Sequence, residues 1–87
     1  MQLFFKPPII MDIPTKTFLV DVYPTDNITD LKKNIMTKLS KADNVYNNFF
    51  VKSITTFNMR NIADNIICSN IFIHGEMLNI VYDITRC

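Results

Sequence analysis

Glycine is almost missing from this chain of 87 residues, occurring once, at Gly75. A loop that cradles phosphate needs several glycines to bring its backbone N–H groups close to the anion, so a nucleotide site of that kind is excluded. Histidine also occurs once and cysteine twice. That supplies too few ligands for a zinc site built from several His and Cys residues, and no supported Cys-His pair for nucleophilic catalysis. Cys68 and His74 stand on either side of an expected turn and read as a small buried thiol and an exposed turn histidine. Glu76 is the sole glutamate, and the aspartates are dispersed along loops and helix ends, as caps and solvated charges are. No enzyme activity, no metal and no cofactor is expected.

Excess charge is missing too. A net charge of +1 gives no electrostatic footprint for nucleic acid or for an anionic membrane, both of which favour concentrated Lys and Arg. Lys32, Lys33, Lys38 and Lys41 lie on or just after an expected helix and read as a solvated face, with cations suited to the negative end of the helix dipole. No run approaches the roughly 18 apolar residues that a membrane helix needs. The opening MQLFFKPPII lacks the long apolar core and small-residue cleavage site of a signal peptide. Two cysteines cannot form a secreted disulfide framework. The expectation is a soluble protein of a reducing compartment, cytoplasmic or nuclear, for which the sequon Asn27-Ile28-Thr29 has no meaning.

Apolar residues are plentiful, at 48%. A chain this short buries only roughly 60 to 65% of its unfolded surface, so residues 1–87 are expected to form one domain around one dense core. Residues 1–6 alternate, with Met1, Leu3 and Phe5 on one face and Gln2, Phe4 and Lys6 on the other, which is the period of a half-buried strand. Pro7, Pro8 and Pro14 remove ladder donors and mark a long connection. Thr17–Val22 alternates again, with Phe18, Val20 and Val22 inward and Leu19 outward, so the two segments are expected to pair as an antiparallel hairpin. Asn27 is placed as an N-cap and Asp30 sits in the first turn, opening a helix over about 27–39. Ile28, Leu31, Ile35 and Leu39 form its apolar stripe, Lys32 borders that stripe, and Ser40–Asn44 closes the helix. Tyr46–Ile54 is β-prone, with Phe50 facing opposite to Phe49 and Val51. Ile62, Ile66 and Ile67 have the spacing of one or two short helical turns. Gly75 is free to take positive φ at a turn. Met77–Ile84 alternates as a final strand, with Leu78, Ile80, Tyr82 and Ile84 set against Met77, Asn79, Val81 and Asp83. Strands on either side of one main helix give an α+β class.

The opening MQLFFK, followed by TFLVDVYPTDNITDLKKNIMTK at 17–38, resembles the ubiquitin-like proteins of the β-grasp superfamily. Pro24, Asp26, Ile28, Lys32, Ile35, Asp64, Leu78, Ile80 and Val81 extend the likeness over nearly the whole chain, with insertions near 7–16 and 68–73. The resemblance implies a mixed sheet of four to five strands packed on the helix. It also implies a protein-binding surface on the exposed side of the sheet, where the family's central Ile and Val correspond to Phe50 and Val81 and its His to Asn79. Phe4 and Leu19 form a second outward patch on the first hairpin.

Other family positions are changed. Thr85-Arg86-Cys87 stands in place of a Gly-Gly tail, the arginines that dock the activating enzyme correspond to Asn48 and Asp83, and the principal chain-building lysine falls at Ile54. Lys6, Lys16, Lys32 and Lys38 stand at or near family lysine positions. What the resemblance implies is therefore a non-covalent adaptor, scaffold subunit or ubiquitin mimic, monomeric when free, with a protein partner from the ubiquitin pathway or elsewhere. The alternative is a covalent modifier with an atypical tail.

Overall fold

The computed structural model of the protein describes residues 1–56, 58 and 60–85. Strand β1 is Gln2–Phe5 and β2 is Phe18–Asp21, paired antiparallel with Leu3 opposite Val20 and Phe4 opposite Leu19. Helix α1 is Ile28–Ala42, followed by a 3₁₀ turn at Asn44–Asn48. Strand β3 is Phe49–Thr55 and β4 is Asn79–Ile84, also antiparallel, with a further 3₁₀ turn at Cys68–Asn70 between them. The result is a small α+β fold of one main helix and two two-stranded antiparallel sheets.

The two strand pairs are not independent. Gly75 N–H donates to the carbonyl of Gln2 at 2.7 Å, Phe4 N–H to that of Glu76 at 2.9 Å, and Leu78 N–H to that of Phe4 at 2.7 Å. A parallel bridge between Phe4 and Met77 lies among these bonds. The segment leading into β4 therefore runs beside β1. Gly75 makes the turn into that segment possible, since its φ of 86° lies in the left-handed region that residues with a Cβ rarely adopt.

The strand periods and the helical stripe converge on one core. Leu3, Phe5, Ile28, Leu31, Ile35, Leu39 and Ile54 are wholly buried, joined by Phe18, Val20, Val22, Val51 and Leu78. Phe5 stacks on Phe18 with ring centroids 5.5 Å apart, and Tyr46 meets Phe18 edge-on at 6.4 Å. Ile80 is only partly buried against this cluster.

The helix begins where Asn27 predicts, through a capping box. Asp30 N–H donates to Asn27 Oδ1 at 2.9 Å, and Asn27 N–H donates to Asp30 Oδ2 at 3.3 Å. Its end differs from expectation. Ser40, Lys41 and Ala42 remain helical, and the chain breaks only at Asp43, whose extended backbone and side chain start the following 3₁₀ turn by accepting from Val45 N–H at 3.0 Å. Tyr46 lies in that turn, buried, and not at the start of a strand. β3 begins at Phe49.

The segment 61–67 also differs. The spacing of its isoleucines predicts one or two helical turns, yet most of its backbone bonds go to other elements. Ile62 N–H donates to Ile54 O at 2.9 Å, while Asp64 and Ile66 carbonyls accept from Thr29 and Ile28 N–H at 3.3 and 3.1 Å. Those two amides open the helix and have no partner within it, so the segment completes the helix start with its carbonyls, while a single turn closes where Ile66 N–H donates to Ala63 O at 3.1 Å. The 3₁₀ turn is displaced to Cys68–Asn70, held where Cys68 N–H donates to Asp26 O at 2.8 Å.

Candidate functional site: the outer face of the sheets

Alternation along a strand sends every second side chain away from the helix. On β1 and β2 this puts Phe4 and its cross-strand partner Leu19 outward, with Phe4 37% exposed and Leu19 half-buried. The Phe4–Met77 bridge carries the same face onto the segment before β4, where Met77 is 44% exposed. Asn79, Val81 and Asp83 follow at two-residue intervals on β4 and are all exposed.

Phe50, at 42% exposure, lies opposite Asp83 on β3. A register shift between Val51 and Ser53 inserts Lys52, so Val81 faces Ser53 and stands diagonal to Phe50. Diagonal neighbours in a sheet are still within reach of a long or aromatic side chain. All five residues singled out from the sequence, Phe4, Leu19, Phe50, Asn79 and Val81, thus belong to one surface. Met77 belongs to it as well. It was absent from the residues chosen from sequence, although its parity with Asn79 and Val81 already put it on the outward set.

This surface is apolar at Phe4, Met77, Val81 and Phe50, and polar at Asn79, Asp83 and Lys52. It has the composition of a contact patch with aromatic and Met side chains inside a polar surround. Asn48, at the end of a 3₁₀ turn, is exposed and accepts from Thr85 N–H at 2.7 Å. Ile54, aligned by resemblance with a chain-building lysine, is wholly buried in the core. Arg86 and Cys87 lie outside the described residues.

The other titratable groups are accounted for structurally. Cys68 is fully buried with its Sγ 3.6 Å from the carbonyl of Asn27, and burial, with Asp26 and then Asp30 nearby, pushes its pKa up to about 11. A thiol held protonated at neutral pH is a poor nucleophile. His74 Nδ1 accepts from Gln2 N–H at 3.1 Å. Lys32 buries its stem beside the apolar stripe and pairs with Asp64 at 2.7 Å. Burial also raises the Tyr82 phenol above its ordinary range, and its hydroxyl donates to Lys6 O at 2.7 Å.

An open hollow at the end of β2 gathers Asp21, Asp26 and Asp30. Two of these carboxylates are already engaged, Asp26 by Tyr23 N–H at 3.0 Å and Asp30 by the helix cap. Among the described residues no cluster of three or more His, Cys, Asp or Glu side chains could hold a metal ion, and no helix is long and apolar enough to cross a membrane.

The fold and its surface define a class, a small α+β domain with an apolar outer sheet face. No family model, curated protein or solved structure matches the chain.

Proposed function

We propose that the chain is a ubiquitin-like β-grasp module that works by binding another protein non-covalently through the outer face of its sheets. Three features support the β-grasp reading. Both strand pairs are antiparallel, the segment 75–78 runs parallel to β1, and α1 packs its stripe against the opposite face. These features support reading the two two-stranded sheets as parts of one mixed sheet in the order β2, β1, β4, β3. The observation that carries the functional reading is the apolar strip Phe4, Met77, Val81 and Phe50, which spans both strand pairs and is left uncovered by the helix. Side chains of this kind supply the desolvated centre on which binding affinity concentrates. As an adaptor or ubiquitin mimic, the module presents this face and needs no tail chemistry.

The test is affinity purification from the native cell, read by mass spectrometry with and without denaturation. Partners are expected to be lost on denaturation, because the contact is non-covalent. Phe50→Ala combined with Val81→Asp is expected to abolish their capture while leaving the circular-dichroism spectrum and melting temperature nearly unchanged, since both side chains face away from the core. Partner recovery that survives the double substitution in a folded protein would move the contact to Phe4 and Leu19. Partners that survive denaturation would replace this reading with the covalent modifier.

A further inference from the structure

Backbone groups in a strand point alternately to its two edges. In β4 the odd-numbered residues face β3, as the bond from Thr85 N–H to Asn48 O shows at the strand's end. The even-numbered ones face the other way, as Leu78 N–H does when it donates to Phe4 O. The next even residues, Ile80 and Tyr82, therefore aim their N–H and C=O groups at the edge along which β1 would continue. It does not continue. β1 ends at Phe5, and Pro7 and Pro8 have no N–H to offer. The Lys6 carbonyl, which an extended ladder would pair with Ile80 N–H, is taken instead by the Tyr82 hydroxyl at 2.7 Å. The register turns the N–H and C=O groups of Ile80 and Tyr82 away from β3, and among the described residues no bond outside the β3–β4 ladder engages them. Ile84 N–H turns to the Asp83 carboxylate at 2.8 Å, which closes the far end.

A groove of about 860 Å³ lies along this edge, walled by Lys6, Pro7, Pro8 and Ile9 on one side and by β4 on the other. An unpaired edge is ordinarily shortened, charged or covered, because it is a template for another strand. Here the prolines form a wall and leave the edge open.

We propose that the free edge of β4 at Ile80–Tyr82 binds an extended peptide segment of a partner protein, which adds to the sheet as a further strand. The site adjoins the outer face and shares Met77 and Val81 with it, but it is defined by main-chain groups that the outer face does not use. Donors and acceptors repeating two residues apart match another main chain, and this is the chemistry that selects a peptide over a small molecule. Lys6 is exposed at the mouth of the groove and has no acidic partner among the described residues. The segment accordingly carries an acidic residue at the Lys6 end. Its remaining side chains are apolar or β-branched, alternating between the Pro7–Pro8 wall and the flank formed by Met77 and Val81.

The experiment is amide hydrogen exchange by NMR on the full chain, with a short acetylated peptide of alternating valine and threonine that ends in glutamate. In the free protein the Ile80 and Tyr82 amides are expected to exchange about tenfold or more faster than those of Val81 and Asp83, which face β3. Millimolar peptide is expected to slow the first pair. N-methylation of the peptide residues whose amides face β4 should abolish that effect, and N-methylation of the alternate residues should preserve it. Lys6→Glu is expected to weaken binding by about twofold to fivefold, the size of one exposed charge pair. Phe50→Ala, which lies outside the groove, should leave it unchanged and so separates this site from the outer face. The proposal is overturned if Ile80 and Tyr82 are protected in the free monomer, if the peptide does not slow them, or if both methylated peptides bind alike. A dimer in sedimentation that protects the same amides without peptide would assign the edge to a second copy instead.

Discussion

Leu31 shows how a single side chain ties sequence to fold. It sits at the centre of the stripe, is wholly buried, and shares a core with Leu3, Phe5, Phe18, Val20, Ile35 and Leu78. Leu31→Ala removes several methyl contacts and leaves a void that the surrounding strands cannot fill, so a loss of about 2 to 5 kcal/mol is expected. A denaturant midpoint equal to that of the unsubstituted protein would contradict this packing. Cys68 gives a different signature at the same scale. Its folded pKa of about 11 exceeds the value of 9.0 that an unburied thiol shows. Between those values the folded chain holds a proton that the unfolded chain has released. Its contribution to stability is therefore complete below about pH 9 and lost as pH rises through about 11, with a slope of up to about 1.4 kcal/mol per pH unit. In Cys68→Ala the fall in stability over that window should be shallower, as read by urea melts at a series of alkaline pH values. Parallel curves for the two proteins would mean that the thiol is not desolvated.

At the scale of elements, the start of α1 is held by two devices of unequal worth. The capping box satisfies backbone amides in a partly buried setting. The Lys32–Asp64 pair is short, but its carboxylate side chain is 63% exposed, so water screens most of its attraction. Asn27→Ala should cost about 0.5 to 2 kcal/mol, and Asp64→Asn no more than about 1 kcal/mol. Chemical denaturation ranks them directly, and the reverse order would show that the 61–67 segment is pinned by charge instead of by its backbone bonds to Ile28 and Thr29. These elements also show what the sequence could reveal. β1, β2, the helix start and most inward strand residues follow from local periodicity and one cap, but the last strand begins at Asn79 and not Met77, with Ile80 only partly buried and Ile84 exposed. Of the outward set, alternation turns Phe4 and Leu19 away from the core and resemblance to ubiquitin-like proteins points to Phe50, Asn79 and Val81, while their meeting on one surface depends on the Phe4–Met77 bridge. The 61–67 segment was not legible, since its isoleucines have helical spacing while its backbone is claimed by distant amides of α1. The extension of the helix through Ser40–Ala42 was hidden for a related reason, as polar residues there resemble a stop and only Asp43 actually breaks the chain. The open edge at Ile80 and Tyr82 depends on the pairing of β4 with two separate segments, which no single stretch of sequence encodes.

For the whole molecule, the proposed binding role and a conjugating role make opposite demands on the same surface. Engagement by an activating enzyme would call on the positions that resemblance aligns with the family's docking arginines. Here those positions are Asn48 and Asp83, one neutral and one negative, and both are exposed. Asp83 lies directly opposite Phe50. A positive-to-negative reversal beside the apolar centre turns attraction into repulsion for a partner shaped to receive arginine, and a like-charge juxtaposition across an interface costs several kcal/mol. The same Asp83 is compatible with a different partner that offers a cation beside its apolar contact. Mixed with ATP and a ubiquitin-activating enzyme, the protein is therefore expected to form no thioester. The measurement is a non-reducing gel compared with one run in excess thiol. A thiol-sensitive adduct that disappears when the last two residues are deleted would show that the enzyme tolerates Asn48 and Asp83, and would establish the covalent modifier over the non-covalent module. If no adduct forms, restoring charge with Asn48→Arg and Asp83→Arg tests the cause. Any gain in affinity for the activating enzyme on that background, read by titration calorimetry, would identify charge at these two positions as the barrier to docking.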